Sequence, residues 1–241
     1  MRSAKLIWSK RSLSPSSVCL SVLLLSCLSV PAANRRSTID IPEGSTGIVA
    51  YGSLMSLPSM EQTLGHKYRG SIRQVHLTGY ERAWECVRPF NDPRAPSPNI
   101  KKINAYYSRG NARIPFLGTA ELNIHPRKKG RINAILYVIS NTDMSGFDKR
   151  EWGYRRVEVT DQIEEFRFPG GRVYAYEGLP GRTDESPATQ GACILIREFA
   201  DMVTRACDAI GKNFRDDFDR CTKPWAYPIV SAKEIVWETT Q

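Results

Sequence analysis

The chain has 241 residues, with 34 Lys plus Arg against 25 Asp plus Glu, a formal charge of +9 when its three histidines are neutral. An apolar share of 41% and a charged share of 24% are those of an ordinary folded protein; they exclude a multi-span membrane protein, a wholly disordered chain and a collagen-like one. This length is enough to bury a proper core in one large domain or two small ones.

The first 39 residues contain no Asp or Glu. Arg2, Lys5, Lys10 and Arg11 precede an apolar run from Val18 to Val30, and the small residues Ala32 and Ala33 follow. Basic, apolar, small is the order of a secretory signal peptide, and a run of 13 residues is too short to span a bilayer. Residues 1–33 are therefore expected to be a signal peptide or lipoprotein leader, and the product to be exported, periplasmic or secreted. Leu24-Leu25-Ser26-Cys27 resembles a bacterial lipobox, which would put a lipid on Cys27 and provide the sole membrane contact. The stretch is also Ser-rich and acid-free, so import into an organelle is the alternative. Losing the four leader bases leaves a charge of +5 over the rest. That is no nucleic-acid footprint, and the short patches Arg127–Arg131 and Arg155-Arg156 read as solvated surface.

Residues 40–241 read as one domain without repeats or linkers. Thr46–Tyr51 is predicted as a buried strand that stops at Gly52-Ser53, and Ser56–Gly65 as a short helix with Met60 and Leu64 on one side and Gly65 as terminator. Arg73–Trp84 alternates in parts and reads as strand. Val87–Arg113 holds four prolines among Asn, Asp, Ser and Gly, and is expected to be a long irregular insertion. Phe116–Ile124 is strand again, and the basic turn Pro126–Gly130 leads into Arg131–Ser140, apolar on both faces and so central in a sheet.

A short helix capped by Asn141 or Thr142 follows. Met144, Phe147, Asp148 and Glu151 recur at helical spacing, so two carboxylates are expected on the inward face. Tyr154–Val159 and Arg172–Tyr176 read as strands and Gly178–Gly181 as a turn. Arg197–Ile210 is an amphipathic helix whose stripe of Phe199, Met202, Val203, Ala206, Cys207 and Ile210 is core, with Gly211 ending it.

Cys19 and Cys27 lie in the leader, leaving Cys86, Cys193, Cys207 and Cys221. Up to two disulfides are open to them, in three connectivities. His66, His76 and His125 are scattered and no CxxC pair exists, so no metal site is expected. With no phosphate-binding glycine loop, no GxSxG and no HExxH, no cofactor is expected either.

Two features carry chemistry. Tyr51-Gly52-Ser53-Leu54 ends a buried strand, and a residue without Cβ lets the backbone turn sharply and aim N–H groups at an anion or carbonyl oxygen. Glu151 sits on the apolar side of its helix, where lost hydration pushes a carboxyl pKa toward neutrality, the tuning a general base requires. An ordinary surface glutamate would instead pair with Lys149, Arg150 or Arg155.

Taken in order, Tyr51-Gly-Ser-Leu, Gly118-Thr-Ala-Glu-Leu, Ala134-Ile-Leu-Tyr-Val-Ile and Phe147-Asp-Lys-Arg-Glu-Trp-Gly-Tyr resemble the γ-glutamylcyclotransferase-like (AIG2-like) superfamily over residues 46–180, with Tyr227-Pro-Ile-Val230 similar to a tail of some members. The resemblance implies an α+β fold, a small mixed β-barrel flanked by helices. It also implies a cofactor-independent enzyme that cyclises a γ-glutamyl amine or peptide to 5-oxoproline. Glu151 would be its general acid/base, Tyr51, Gly52, Ser53 and Leu54 would hold the γ-glutamyl group, and Tyr154 would line the pocket. The partner is then a small-molecule γ-glutamyl substrate rather than nucleic acid, and the protein a monomer or dimer. A catalytically silent module that binds a small acidic ligand, or an acyl transferase on the same scaffold, are the other readings.

Overall fold

Apolar residues on both faces force the segment after residue 45 into the middle of a sheet. It forms β2 (Ser45–Ala50), buried over nearly its whole length. The computed structural model describes residues 36–90, 103–180, 192–226 and 228–239. In it β2 runs antiparallel to β6 (Gly118–Ser140), with Ile48 opposite Tyr137, and parallel to β9 (Val173–Gly178), with Gly47 opposite Val173. Gly47 permits the second approach, because a Cβ there would lie 2.8 Å from Val173 Cγ2.

β3 (Arg73–Pro89) covers most of β6 antiparallel, and β7 (Tyr154–Glu158) adds antiparallel to β9. The pairing path is completed by β11 (Thr222–Lys223) parallel on β3, by β10 (Cys193–Ile196) parallel on β6, and by β12 (Ile229–Val230) parallel on β10. β1 (Ser37–Thr38) and β8 (Phe166–Arg167) form a separate parallel pair. The chain from Arg36 onward is one α+β unit with helices flanking a mixed sheet. The path does not close into a barrel among the described strands: its ends, β11 and β7, have no ladder between them, and β11 is only two residues long.

Two local expectations are corrected. The turn at 126–130 lies within β6 as a loop-out, where Arg127–Gly130 stand opposite the single residue Gly79 of β3, which has φ +83°. The insertion at 87–113 is not irregular where it is described. β3 continues through it to Pro89, and β4 (Ile103–Arg109) forms a hairpin with β5 (Ala112–Phe116). A strand from the far end of the chain, β13 (Ile235–Thr239), closes that hairpin into a three-stranded antiparallel sheet. Its inner side packs Tyr107, Phe116 and Ile235 against Ile194 and Val230. The leader, the rest of the insertion, Gly181 and Tyr227 lie outside the described residues.

The helices follow their sequence signals. α1 (Leu57–Leu64) starts after Ser56 with Pro58 in its first turn, where a missing N–H costs nothing, and ends at Gly65 with φ +76°. α2 (Met144–Arg150) buries Met144 and Phe147. α3 (Arg197–Ile210) buries Val203, Ala206 and Cys207, with Phe199, Met202 and Ile210 packed beside them. α4 (Lys212–Arg220), which the sequence did not announce, turns off at Gly211 and buries Phe214 and Phe218. No helix among the described residues is long and apolar enough to cross a membrane. Of the open cysteine connectivities one bridge forms, Cys86–Cys193; Cys207 is buried and Cys221 half-buried, both as free thiols.

Candidate active site

The end of β2 is fixed before it turns. The Tyr51 hydroxyl donates to the Tyr176 carbonyl on β9, and the Tyr51 carbonyl accepts from Arg82 Nη1 at 3.2 Å. The chain then makes a tight 3-10 turn over Ser53–Met55, closed by the Met55 N–H on the Gly52 carbonyl at 2.9 Å. A Cβ at Gly52 would meet Leu122 at 3.4 Å, so the smallest residue stands where the turn brushes β6. The first N–H groups of such a turn have no acceptor inside it. Those of Ser53 and Leu54 find none elsewhere among the described residues.

Glu151 follows α2 directly as its C-terminal cap, its N–H bonded to the Phe147 carbonyl at 2.8 Å. The residue is 7% exposed. Its Oε2 lies 3.3 Å from Arg88 Nη2 and its Oε1 3.2 Å from Arg150 Nε. Burial raises the Glu151 pKa above the ordinary carboxyl range; Arg88 and Arg150 oppose that rise, and the neighbouring Glu121 adds to it. The second inward carboxylate expected on α2 is not there: Asp148 is exposed, accepting from the Tyr176 hydroxyl at 2.8 Å and pairing with Arg156. Asp148 lies one position past buried Phe147, about 100° around the helix, which turns it to the surface.

The six residues named from the sequence do share one place. Tyr51, Gly52, Ser53, Leu54, Glu151 and Tyr154 line a narrow cleft together with Glu121 and Leu122 of β6 and Phe199 of α3. Its space is about 30 Å³, room for a water or two. Tyr154 donates from its hydroxyl to the Leu122 carbonyl at 2.7 Å, and burial drives its pKa well up, as it does that of Tyr51.

Three charged residues of the site escaped the sequence reading in these roles. Arg150 Nη2 donates to the Ser53 hydroxyl at 3.0 Å and to the Ser59 hydroxyl at 2.7 Å, tying the turn, α1 and Glu151 together. Of the three cations named as partners for Glu151 it is the one in contact, and Arg155 pairs with Glu177 instead. Arg88 reaches Glu121 as well as Glu151. Glu121 sits inside the Gly118–Leu122 motif, where a carboxylate beside strand residues that face the core was the available signal.

Among the described residues, His76, Glu164 and Glu165 bring ligand atoms within 4.8 Å of one another, and none of them lines the cleft. Both His76 ring nitrogens already face carboxylates, Glu165 at 2.5 Å and Asp217 at 3.1 Å.

By structure the chain is similar to a protein described as gamma-glutamyl cyclotransferase, 10% identical at a TM-score of 0.44 over 79% of this chain and 95% of that one. It is similar to an uncharacterized protein from Homo sapiens, 12% identical at a TM-score of 0.45 over 80% and 96%. A protein from Arabidopsis thaliana solved in solution is 17% identical at a TM-score of 0.34 over 57% and 70%. No family model and no curated protein matches the chain.

Proposed function

We propose that the protein cyclises a γ-glutamyl amine or peptide, releasing the amine and 5-oxoproline. The observation that carries the reading is the juxtaposition in one cleft of a buried carboxylate, Glu151, with a turn whose Ser53 and Leu54 N–H groups have no acceptor among the described residues. Glu151 takes a proton from the donor's α-ammonium, and the freed nitrogen lone pair attacks the γ-carbonyl carbon of the same molecule. The carbonyl oxygen, now negative, accepts from the two N–H groups. The tetrahedral carbon expels the amine, which leaves with the proton held by Glu151; the regenerated carboxylate takes the second proton from the ring nitrogen and passes it to the released amine as its ammonium, and the neutral five-membered lactam remains. Nucleophile and electrophile belong to one molecule, so holding it bent supplies much of the rate. A carboxyl pKa raised by burial matches a group that must both take and return a proton near neutrality.

A second reading is a silent module that keeps the turn and recognises a small acidic ligand. Incubating the chain with γ-glutamyl peptides and amines and assaying 5-oxoproline separates the two. Release by the parent, with a loss of at least a hundredfold in folded Glu151→Gln, is the expected result. Wild-type turnover by that variant would remove Glu151 from the chemistry, and no release from any donor would leave the binding module. We also place the protein in an oxidising compartment, a reading supported by the Cys86–Cys193 bridge and the acid-free leader.

A further inference from the structure

Arg88 owes its place to a break in strand register. Along the β3–β6 ladder Glu85 stands opposite Glu121 and Arg88 opposite Thr119, so Cys86 and Val87 together oppose Ala120. Two residues against one is a bulge, and a bulge rotates the side chains beyond it. In this case it delivers a guanidinium between two acids: Arg88 Nη1 lies 3.3 Å from Glu121 Oε1 and Nη2 3.3 Å from Glu151 Oε2, while Nη2 also donates to the Arg150 carbonyl at 3.2 Å. The rings of Trp152 and Tyr154 stand 5.6 and 5.8 Å from it. Its Nε is buried without a partner, so the group is held by its two carboxylates rather than by a full set of bonds.

The bulge is itself fastened. Cys86, one of its two residues, is bridged to Cys193, and Cys193 pairs with Gly118 of β6 one residue from the partner of Arg88. Gly118 packs so closely there that a Cβ would fall 2.7 Å from the Arg88 carbonyl. We propose that Arg88 is the positioning residue of the cleft, holding Glu151 and Glu121 side by side, and that the Cys86–Cys193 bridge keeps it in register. The inference rests on the proposed use of Glu151 as base. The charged and titratable groups around Glu151 are Arg88 from β3, Glu121 from β6, Arg150 from α2, Tyr51 from the end of β2, Tyr154 from β7 and Tyr176 from β9.

The test follows the Glu151 carboxyl directly, by NMR titration of protein labelled with ¹³C at glutamate side-chain carboxyls, its signal assigned by its loss in Glu151→Gln. The pH profile of 5-oxoproline release is measured alongside. Removing an opposite charge at this range raises a carboxyl pKa by about one unit or more. In Arg88→Gln the Glu151 titration and the acid limb should both move up by about that much, with the rate on that limb down roughly tenfold and the plateau regained at higher pH. Arg88→Lys, which keeps the charge but cannot fork to two acids, should restore part of the shift. The double variant Cys86→Ser, Cys193→Ser should move the titration in the same direction as Arg88→Gln. An unmoved titration in folded Arg88→Gln would overturn the role of Arg88, and an unmoved one in the folded double variant would overturn that of the bridge. A titration that moves in a protein that releases no 5-oxoproline would uphold the positioning and remove the cyclotransferase reading instead.

Discussion

Replacing Arg82 with Met tests whether one buried cation holds the turn of the cleft in place. Arg82 is 1% exposed, and among the described residues no carboxylate pairs with it. Its guanidinium is instead surrounded by neutral acceptors. Nε donates to Thr222 Oγ1 at 2.8 Å, and Nη1 to the carbonyls of Tyr51 at 3.2 Å and Asn133 at 2.8 Å. Nη2 donates to Asn133 Oδ1 at 2.7 Å, to the Phe218 carbonyl at 3.4 Å and to Cys221 Sγ at 3.2 Å, and the group lies 3.9 Å from the Phe218 ring centre.

Met fills most of the same volume, so the loss is polar. Four buried acceptors, the carbonyls of Tyr51 and Asn133 and the side-chain oxygens of Asn133 and Thr222, lose their charged donor at about 1–3 kcal/mol each, roughly 8 kcal/mol together, while the Phe218 carbonyl keeps the Thr222 hydroxyl. The variant no longer buries a charge, which returns several kcal/mol. The net expected loss is about 3–5 kcal/mol, or roughly 6–20 °C in Tm for a domain of this size. Thermal and urea unfolding followed by circular dichroism measure it. Arg82→Lys should recover only part, because an ammonium cannot reach β11, β6 and the turn from one plane. The Tyr51 carbonyl is among the orphaned acceptors, so any 5-oxoproline release should fall by more than the folded fraction does. An Arg82→Met protein within 1 kcal/mol of the parent would refute the reasoning.

The remaining predictions concern other titratable groups. His76 has its pKa raised chiefly by its bond to the Glu165 carboxylate, so the stability it contributes is fully present below the unfolded value of about 6.5 and is lost as pH rises through the folded value. The stability gap between the parent and His76→Gln should therefore be widest near pH 6 and shrink at alkaline pH; a gap that grows with pH would contradict the assignment. Burial pushes the Cys207 thiol up to about 12, so in the native protein at pH 8 iodoacetamide should leave it intact while modifying half-exposed Cys221. Mass mapping of the alkylated peptides reads both, and rapid labelling of Cys207 in folded protein would show that α3 does not bury it.

What was legible in the sequence was local. The β2 run, the α1 stop at Gly65 and the α3 stripe depend on neighbours a few residues away, and all three formed where their periodicity placed them. Tyr51–Leu54 and Glu151 came together because a strand end and a helix end each announce themselves by short patterns. Arg88 stayed hidden because its direction is set by a bulge, which shifts alternation without any change in composition. Asp148 was misplaced because it lies one position past buried Phe147, about 100° around the helix, where it meets Tyr176 and Arg156 at the surface. The hairpin of β4 and β5 was read as loop because the prolines of the segment before it, Pro89 to Pro98, outweighed a pairing partner lying at residues 235–239.

That last pairing sets an order on folding. Ile235 pairs with Tyr107 and Thr239 with Ile103, so the hairpin's outer edge is completed only after residues 235–239, more than a hundred positions on, have left the ribosome. Until then β4 presents unpaired backbone beside the aromatic rings of Tyr107 and Phe116, the kind of edge that invites pairing with another chain. Loop closure over such a separation is slow, because the conformational freedom of the intervening chain is lost before any contact offsets it. Deleting residues 235–239 would thus expose a sticky edge, and aggregation during synthesis would be its first symptom.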